Sequence, residues 1–189
     1  MARWEPDSRR RLEEAALALY GEQGFDDTSV AEIAERAGLT ERTFFRHFAD
    51  KREVLFSGAG ALQELFVSAV AGAPDSATPL EAVTGALAAA GAVLQQRGHY
   101  PRQRQSIIAA SAELRERELI KLATLAAALA DALRQRGVKD PAAGLVAEIA
   151  IAVFKTAFAR WVESDDGPDL PQIMQESLEE LKVLAGGAS

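Results

Sequence analysis

The stretch TSVAEIAERAGLTERTFFRHFADKREVL, residues 28 to 55, decides the fold. It holds two short apolar-periodic runs on either side of Gly38-Leu39. In the first run Ser29 precedes Val30, Ile33, Ala34 and Ala37, and Glu32 follows Ser29 at the spacing of a capping box. In the second, Thr40 stands where an N-cap belongs, ahead of ERTFFRHF. Two short helices joined by a glycine-containing turn predict a helix-turn-helix. At about 100° per residue, Phe48 falls about 40° from Phe44, so the two rings share a buried face. Arg42 and Arg46 then point the other way, flanked by Thr43 and Phe45. That outer face reads either as ordinary solvated charge or as a reader of the major groove. A guanidinium can grip guanine O6 and N7, and threonine can hydrogen-bond or touch a thymine methyl.

Working outward, the preceding helix carries Leu12, Ala15, Ala16, Leu19 and Tyr20 on one stripe, ends at Gly24, and has Phe25 placed to cover its end. Arg9, Arg10 and Arg11 at its start read either as a phosphate-following arm or as solvated charge. Trp4 has no evident core to join. On the other side Asp50 is placed to cap a fourth helix beginning KREVLF, where Lys51 and Arg52 could meet phosphate. Residues 1 to 55 hold 9 basic and 12 acidic side chains, so the head lacks a general basic coat. Favourable charge is local: between Thr40 and Arg52, four basic residues face two acidic ones. Such a layout weakens non-specific binding and leaves affinity dependent on fitted contacts.

The remaining chain, 189 residues in all with a formal charge of −7 and 38 alanines, shows helical periodicity and no sustained alternation. Breaks at 71–79, 97–101, 136–141 and 164–171 complete an all-α chain of about nine helices. The expected division is a helix-turn-helix domain over 1–55, with the first body helix starting near 50, and a helical body over 56–189. With no cysteine and two histidines, thiolate zinc, iron–sulfur and cysteine-nucleophile chemistry are excluded, and a histidine-rich metal site has few ligands. Glycine-rich phosphate loops and paired carboxylates on one helix are also missing, so the chain does not read as an enzyme and needs no cofactor. Glu163, Asp165, Asp166 and Asp169 read as a solvated connection in preference to a cation site. Lacking an apolar leader or a long uninterrupted apolar run, the sequence predicts a cytoplasmic protein without a membrane partner. The AGGAS tail from Ala185 should fray.

The quoted stretch resembles the DNA-binding signature of the TetR family of transcriptional regulators. The likeness covers roughly residues 9 to 56 and holds in order: the Phe25 turn, Thr28, Ile33-Ala34, Ala37-Gly38, Thr40, Thr43, the aromatic pair, His47-Phe48, and Lys51 with Leu55. It implies DNA contacts at Thr28, Arg42, Thr43, Phe45, Arg46, His47 and Lys51. One position departs: the family usually has tyrosine where Phe45 stands, so a phenolic hydroxyl that would reach phosphate is missing. His47 also reads as a packed or hydrogen-bonded helix residue. The family further implies a homodimer on a palindromic double-stranded operator, and a small-molecule effector bound in the body that displaces the fourth helix and the reading heads.

In the body, Leu80, Val83, Leu87, Ala90 and Leu94 form one stripe, and Leu114, Leu122, Leu125, Leu129 and Leu133 another. Candidate effector-lining residues are Phe66, His99, Tyr100, Gln103, Ile107, Phe154, Phe158 and Trp161, which would suit a largely apolar or aromatic ligand. The three at 154, 158 and 161 also read as core or dimer contacts, and His99 and Tyr100 as a turn. The eighth and ninth helices carry apolar faces too broad for one partner, so they are expected to pair with their copies as a four-helix bundle. The contacts expected there are Val146, Ile149, Val153, Ala157, Ile173, Met174, Leu178 and Leu181. The residues thus favour a ligand-released repressor. They leave open a helical carrier or enzyme with a non-functional head, and an adaptor whose C-terminal face takes an unlike partner.

Overall fold

Among the described residues, 7–164 and 167–186 of this computed structural model, the chain forms nine helices and no strand. This is the all-α architecture that alanine content and periodicity predict. Trp4, Asp165, Asp166 and residues 187–189 of the tail lie outside the described residues. Two units are present. One comprises the chain up to Ala59 together with Arg102–Glu118, the other Gly60–Pro101 and the chain from Leu119 onward. The first unit therefore takes in residues 102–118, which no local pattern ties to the 1–55 segment.

In the first unit, α1 (Ser8–Gln23) buries Leu12, Ala15, Ala16, Leu19 and Tyr20, the predicted stripe. Gly24, at φ +90°, closes it by donating its N–H to Tyr20 O at 3.1 Å. The Phe25 ring then packs edge-on against Tyr20 with centroids 5.3 Å apart. Helix α2 (Val30–Arg36) opens with both halves of the Ser29–Glu32 capping box, and α3 (Glu41–His47) opens with Thr43 N–H donating to Thr40 Oγ1. Between them Gly38 takes φ +64°, and the N–H groups of Gly38 and Leu39 return to Glu35 O and Ala34 O. The left-handed region disfavours any residue with a Cβ. A Cβ there would also stand 2.9 Å from Arg11 Nη2, whose guanidinium donates to Ala37 O. Gly38→Ala should therefore cost about 1 to 3 kcal/mol of stability; an unchanged midpoint in urea would show that the turn is not constrained.

Asp50 behaves as a cap, accepting the N–H groups of Arg52 at 2.8 Å and Glu53 at 3.1 Å. The chain after it nevertheless runs through turns closed by i to i+3 bonds, from Leu55 to Arg52 and from Phe56 to Glu53, and α4 (Ala59–Ala71) begins only at Ala59. Val54, Leu55 and Phe56 are all buried in succession. Three consecutive side chains cannot lie on one helix face at about 100° per residue, so the backbone turns to send all of them inward.

Burial in the second unit centres on α5 (Pro79–Gln96), α8 (Ala142–Glu163) and α9 (Leu170–Gly186), which pack against one another. Side chains of α4 and of α7 (Ala112–Gln135) join the same core through Phe66, Val70, Leu125, Leu129 and Leu133. A Thr78–Glu81 capping box with Pro79 in the first turn starts α5. At Gly91 a Cβ would come within 3.1 Å of Met174 Sδ and Pro171 N, so glycine is what lets α5 and α9 approach. Helix α6 (Tyr100–Ala110) starts inside the RGHYP break with Pro101 in its first turn, where a missing N–H costs nothing. It is parted from α7 at Ser111, whose hydroxyl accepts Leu114 N–H at 3.4 Å. Helix α8 is long and apolar enough, by length and composition, to cross a membrane, yet one face of it, including Ala150, Phe154 and Trp161, is buried in this core.

Candidate nucleic-acid interface

Helix α3 is short, capped at Thr40 and anchored by one fully buried ring, Phe44, with Phe48 at its end also buried. The two rings lie 5.4 Å apart between centroids. Anchoring one side this firmly commits the other to solvent. Arg42 and Arg46 are exposed, Thr43 is half-buried, and Phe45 is 55% exposed. The Phe45 ring stands edge-on to Phe44 at 5.5 Å, which holds it upright on the surface.

Among the described residues, Arg42 and Arg46 have no ion-pair or hydrogen-bond partner. Most other arginines of the first unit contrast with them. Arg9 pairs with Glu13 and donates to Ser57 O, Arg10 bridges Asp7 and Glu14, and Arg36 grips Glu22 through two bonds of 2.8 and 2.6 Å. Arg52 joins Asp50 and Glu113, holding the Asp50 carboxyl below the usual carboxylate range. Arg117 pairs with Glu53, and Arg104 donates to Leu55 O at 2.6 Å, pairs with Glu118 and lies over the Phe56 ring. The Arg9 to Arg11 run is thus engaged inside the protein. Sequence reading did not find Arg104 and Arg117, because nothing near them in the chain marks partners some fifty residues away or more.

Four residues of the expected DNA-facing set have partners within the protein, Thr43 among them, its hydroxyl 3.1 Å from Thr40 Oγ1. The Thr28 hydroxyl, on a residue 2% exposed, donates to Gly24 O at 2.7 Å. His47 Nε2 lies 2.8 Å from Ser8 Oγ. Burial, with the positive charges of Arg46 and Arg9, pushes the His47 pKa below its usual value, which favours the neutral ring. Lys51 Nζ donates to the carbonyls of Phe25, Asp26 and Thr28 at 2.8, 3.2 and 2.9 Å.

Of the expected effector-lining residues, the second unit brings four together. Phe66 meets Phe154 edge-on at 5.8 Å, Phe154 stacks on Phe158 at 5.9 Å, and Phe158 meets Trp161 at 5.8 Å. His99 is exposed and Tyr100 half-buried. Gln103 and Ile107 belong to the first unit, where Gln103 Nε2 donates to Leu17 O at 3.4 Å and Ile107 is buried. Of the expected dimer contacts, Val153, Ala157, Ile173, Met174 and Leu178 are already buried in the core of one chain, and Val146, Ile149 and Leu181 are partly buried against it. What α8 and α9 leave open is a different set that includes Leu145, Ala152, Val183 and Leu184.

Comparison with known proteins bears on both units. Residues 12–57 match the family described as bacterial regulatory proteins of the tetR family, and residues 77–184, more than half the chain, match the MftR C-terminal domain. The family likeness legible in the sequence is confined to the head, because nothing in the body stripes marks one helical body from another. The regulator TcmR of Streptomyces glaucescens is 42% identical over 82 residues, covering 43% of this chain and 36% of TcmR. The chain spans between 26% and 36% of the lengths of this and the next curated regulators it resembles. Among solved structures, a TetR-family regulator from Syntrophomonas wolfei superposes with a TM-score of 0.71 at 18% identity, covering 97% of each chain. FadR from Bacillus subtilis, solved in complex with stearoyl-CoA, superposes with a TM-score of 0.65 at 21% identity, covering 91% of this chain and 96% of that one. With a head and a body that each match, the chain belongs to the TetR family of bacterial regulatory proteins and carries a C-terminal domain of the MftR type.

Proposed function

We propose that this protein is a homodimeric repressor that binds a palindromic DNA operator through α3 and is released by a small, largely apolar ligand. The observation that carries the reading is the outer face of α3. Among the described residues Arg42 and Arg46 stand there without partners, in a unit whose other arginines are mostly paired. Two guanidinium groups left unpaired beside an upright Phe45 and the Thr43 hydroxyl form a surface suited to base edges and phosphates. Phe45, without the hydroxyl usual at its position, makes an apolar contact with a thymine methyl or a sugar. Thr28, His47 and Lys51 belong to the same set as the residues that hold this face in place. Two such faces in a dimer meet successive major grooves at about 34 to 36 Å.

The body supplies the ligand response. The rings of Phe66, Phe154, Phe158 and Trp161 pack in series in the second unit, and an apolar ligand would lie against them. That FadR, a neighbour in fold, was solved with stearoyl-CoA supports the apolar class. Release requires only that the ligand prefer the conformation that does not bind DNA, with a coupling of about 1 to 3 kcal/mol.

Selection of bound fragments from a random double-stranded DNA pool, followed by titration of the winner against salt, tests the reading. A palindromic motif is the expected result; no enrichment at low salt by folded protein would overturn it. Arg46→Ala should weaken binding by about 1 to 3 kcal/mol and relax selectivity at one base step if the guanidinium reads an edge. A uniform loss with a shallower salt dependence would make it a phosphate contact instead.

A further inference from the structure

A lysine four residues beyond a recognition helix, in a DNA-reading unit, invites assignment to phosphate. The geometry points to a different role: we propose that Lys51 is a positioning residue, whose ammonium is an internal ligand of the turn between α1 and α2 and sets how α2 and α3 are presented to DNA. The inference rests on the reading of the first unit as a DNA-binding head.

Four observations converge on it. The turn that follows Gly24 brings three backbone carbonyls, those of Phe25, Asp26 and Thr28, to 2.8, 3.2 and 2.9 Å from one Nζ. An ammonium has three N–H groups and no acceptor, so these bonds occupy its full donor capacity. The same nitrogen sits 4.4 Å from the centroid of the Phe25 ring, a cation held against an aromatic face. The other end of the residue is held as well: the buried Tyr20 hydroxyl donates to Lys51 O at 2.6 Å. Burial raises the Tyr20 pKa well above the usual phenol range, which keeps that donor protonated. Finally, the Thr28 hydroxyl ties the same turn back to Gly24 O.

Lys51 therefore joins three parts of the head. Tyr20 belongs to the last turns of α1, Phe25 to Thr28 lead directly into the Ser29 cap of α2, and Lys51 itself follows the end of α3 by four residues. Charge-assisted bonds to carbonyls are about twice as strong as neutral ones, and a phosphate could claim this ammonium only by breaking at least one of them. Removing the ammonium leaves three carbonyls without it and frees the segment that fixes the start of α2.

The two roles differ in measurable ways. A phosphate ligand contributes about one unit to the slope of log affinity against log salt, and arginine replaces it well. A staple contributes nothing to that slope, and a guanidinium, with at most two N–H groups on any one nitrogen, cannot reproduce three bonds that converge on a single point. The experiment uses the full chain and the selected operator, with Lys51→Met and Lys51→Arg. Both variants are expected to lose about tenfold in operator affinity with the salt slope of the unsubstituted protein, as expected for loss of charge-assisted bonds. Amide hydrogen exchange in DNA-free protein should be faster in both over residues 26 to 31 than in the unsubstituted chain. A slope smaller by about one unit in Lys51→Met, or full affinity in Lys51→Arg, would overturn the proposal. So would unchanged exchange over 26 to 31 in Lys51→Arg, the milder variant, which serves if Lys51→Met does not fold. Should the unsubstituted protein bind no DNA, it is the functional reading that fails, and the exchange comparison still tests the staple.

Discussion

Phe44→Ala destabilises the protein by about 3 to 5 kcal/mol and abolishes operator binding, while the neighbouring Phe45→Ala leaves stability within about 0.5 kcal/mol and weakens binding alone. The two residues are adjacent on one short helix and of one chemical type, so the contrast isolates burial. Phe44 is fully buried and packs against the tilted ring of Phe48, whereas Phe45 is 55% exposed. Truncating Phe44 removes a whole ring from the interior of the packed α1, α2 and α3, where Leu12, Ile33, Ala34 and Phe48 are also buried, and a well-packed interior closes such a gap only in part. Total stability of a domain is about 5 to 15 kcal/mol, so a loss of this size is a large part of it. Helix α3, two turns long, has no stability of its own once its anchor is gone. Denaturant unfolding of the two variants beside a gel-shift titration checks both halves. A Phe44→Ala protein that unfolds at the midpoint of the unsubstituted chain would mean that the ring does not anchor α3.

That contrast is legible in the sequence because it depends on neighbours only a few positions apart. The Ser29–Glu32 box, the Thr40 cap, the Gly38 turn and the opposite directions of Phe44 and Arg46 all follow from spacings of two to four residues. Lys51 shows where such reading stops. Its ammonium is directed by carbonyls 23 to 26 positions earlier, brought together only when the turn after Gly24 folds. The same reason hides Arg104 and Arg117, and the inclusion of residues 102–118 in the first unit. In the 51–58 segment the Asp50 cap was readable, but the helix expected behind it yields to turns because three consecutive side chains seek the same core. On α8 and α9 a period of 3.6 says that a face is apolar, not what covers it. For Val153, Ala157, Ile173, Met174 and Leu178 that cover is already supplied within one chain.

Ala152→Arg follows from that last distinction. Leu145, Ile149, Ala152, Thr156 and Ala159 recur on α8 at alternating steps of four and three, the seam of a helix that meets another helix. Leu145 is 61% exposed, Ile149 is partly buried, and the three small residues are exposed. In one chain, then, this seam lies beside the face that enters the core, and small side chains along it would let a second α8 come close. Around a two-fold axis each residue of such a seam lies near its own copy, so a substitution acts twice. An arginine at 152 places bulk and two like charges where the dimer would close. Burying them without partners costs about 3 to 5 kcal/mol, which raises the dimer dissociation constant about 150- to 5,000-fold. Because Ala152 points away from the core of its own chain, the helix content and melting midpoint of the protomer should not change. Operator affinity should fall with the dimer, since a single head forfeits an avidity gain of about 10² to 10⁴. Light scattering across a dilution series, read beside the gel shift, separates the possibilities. A dimer with undiminished operator affinity would place the partner surface elsewhere on the body, and a dimer without affinity would detach assembly from DNA reading.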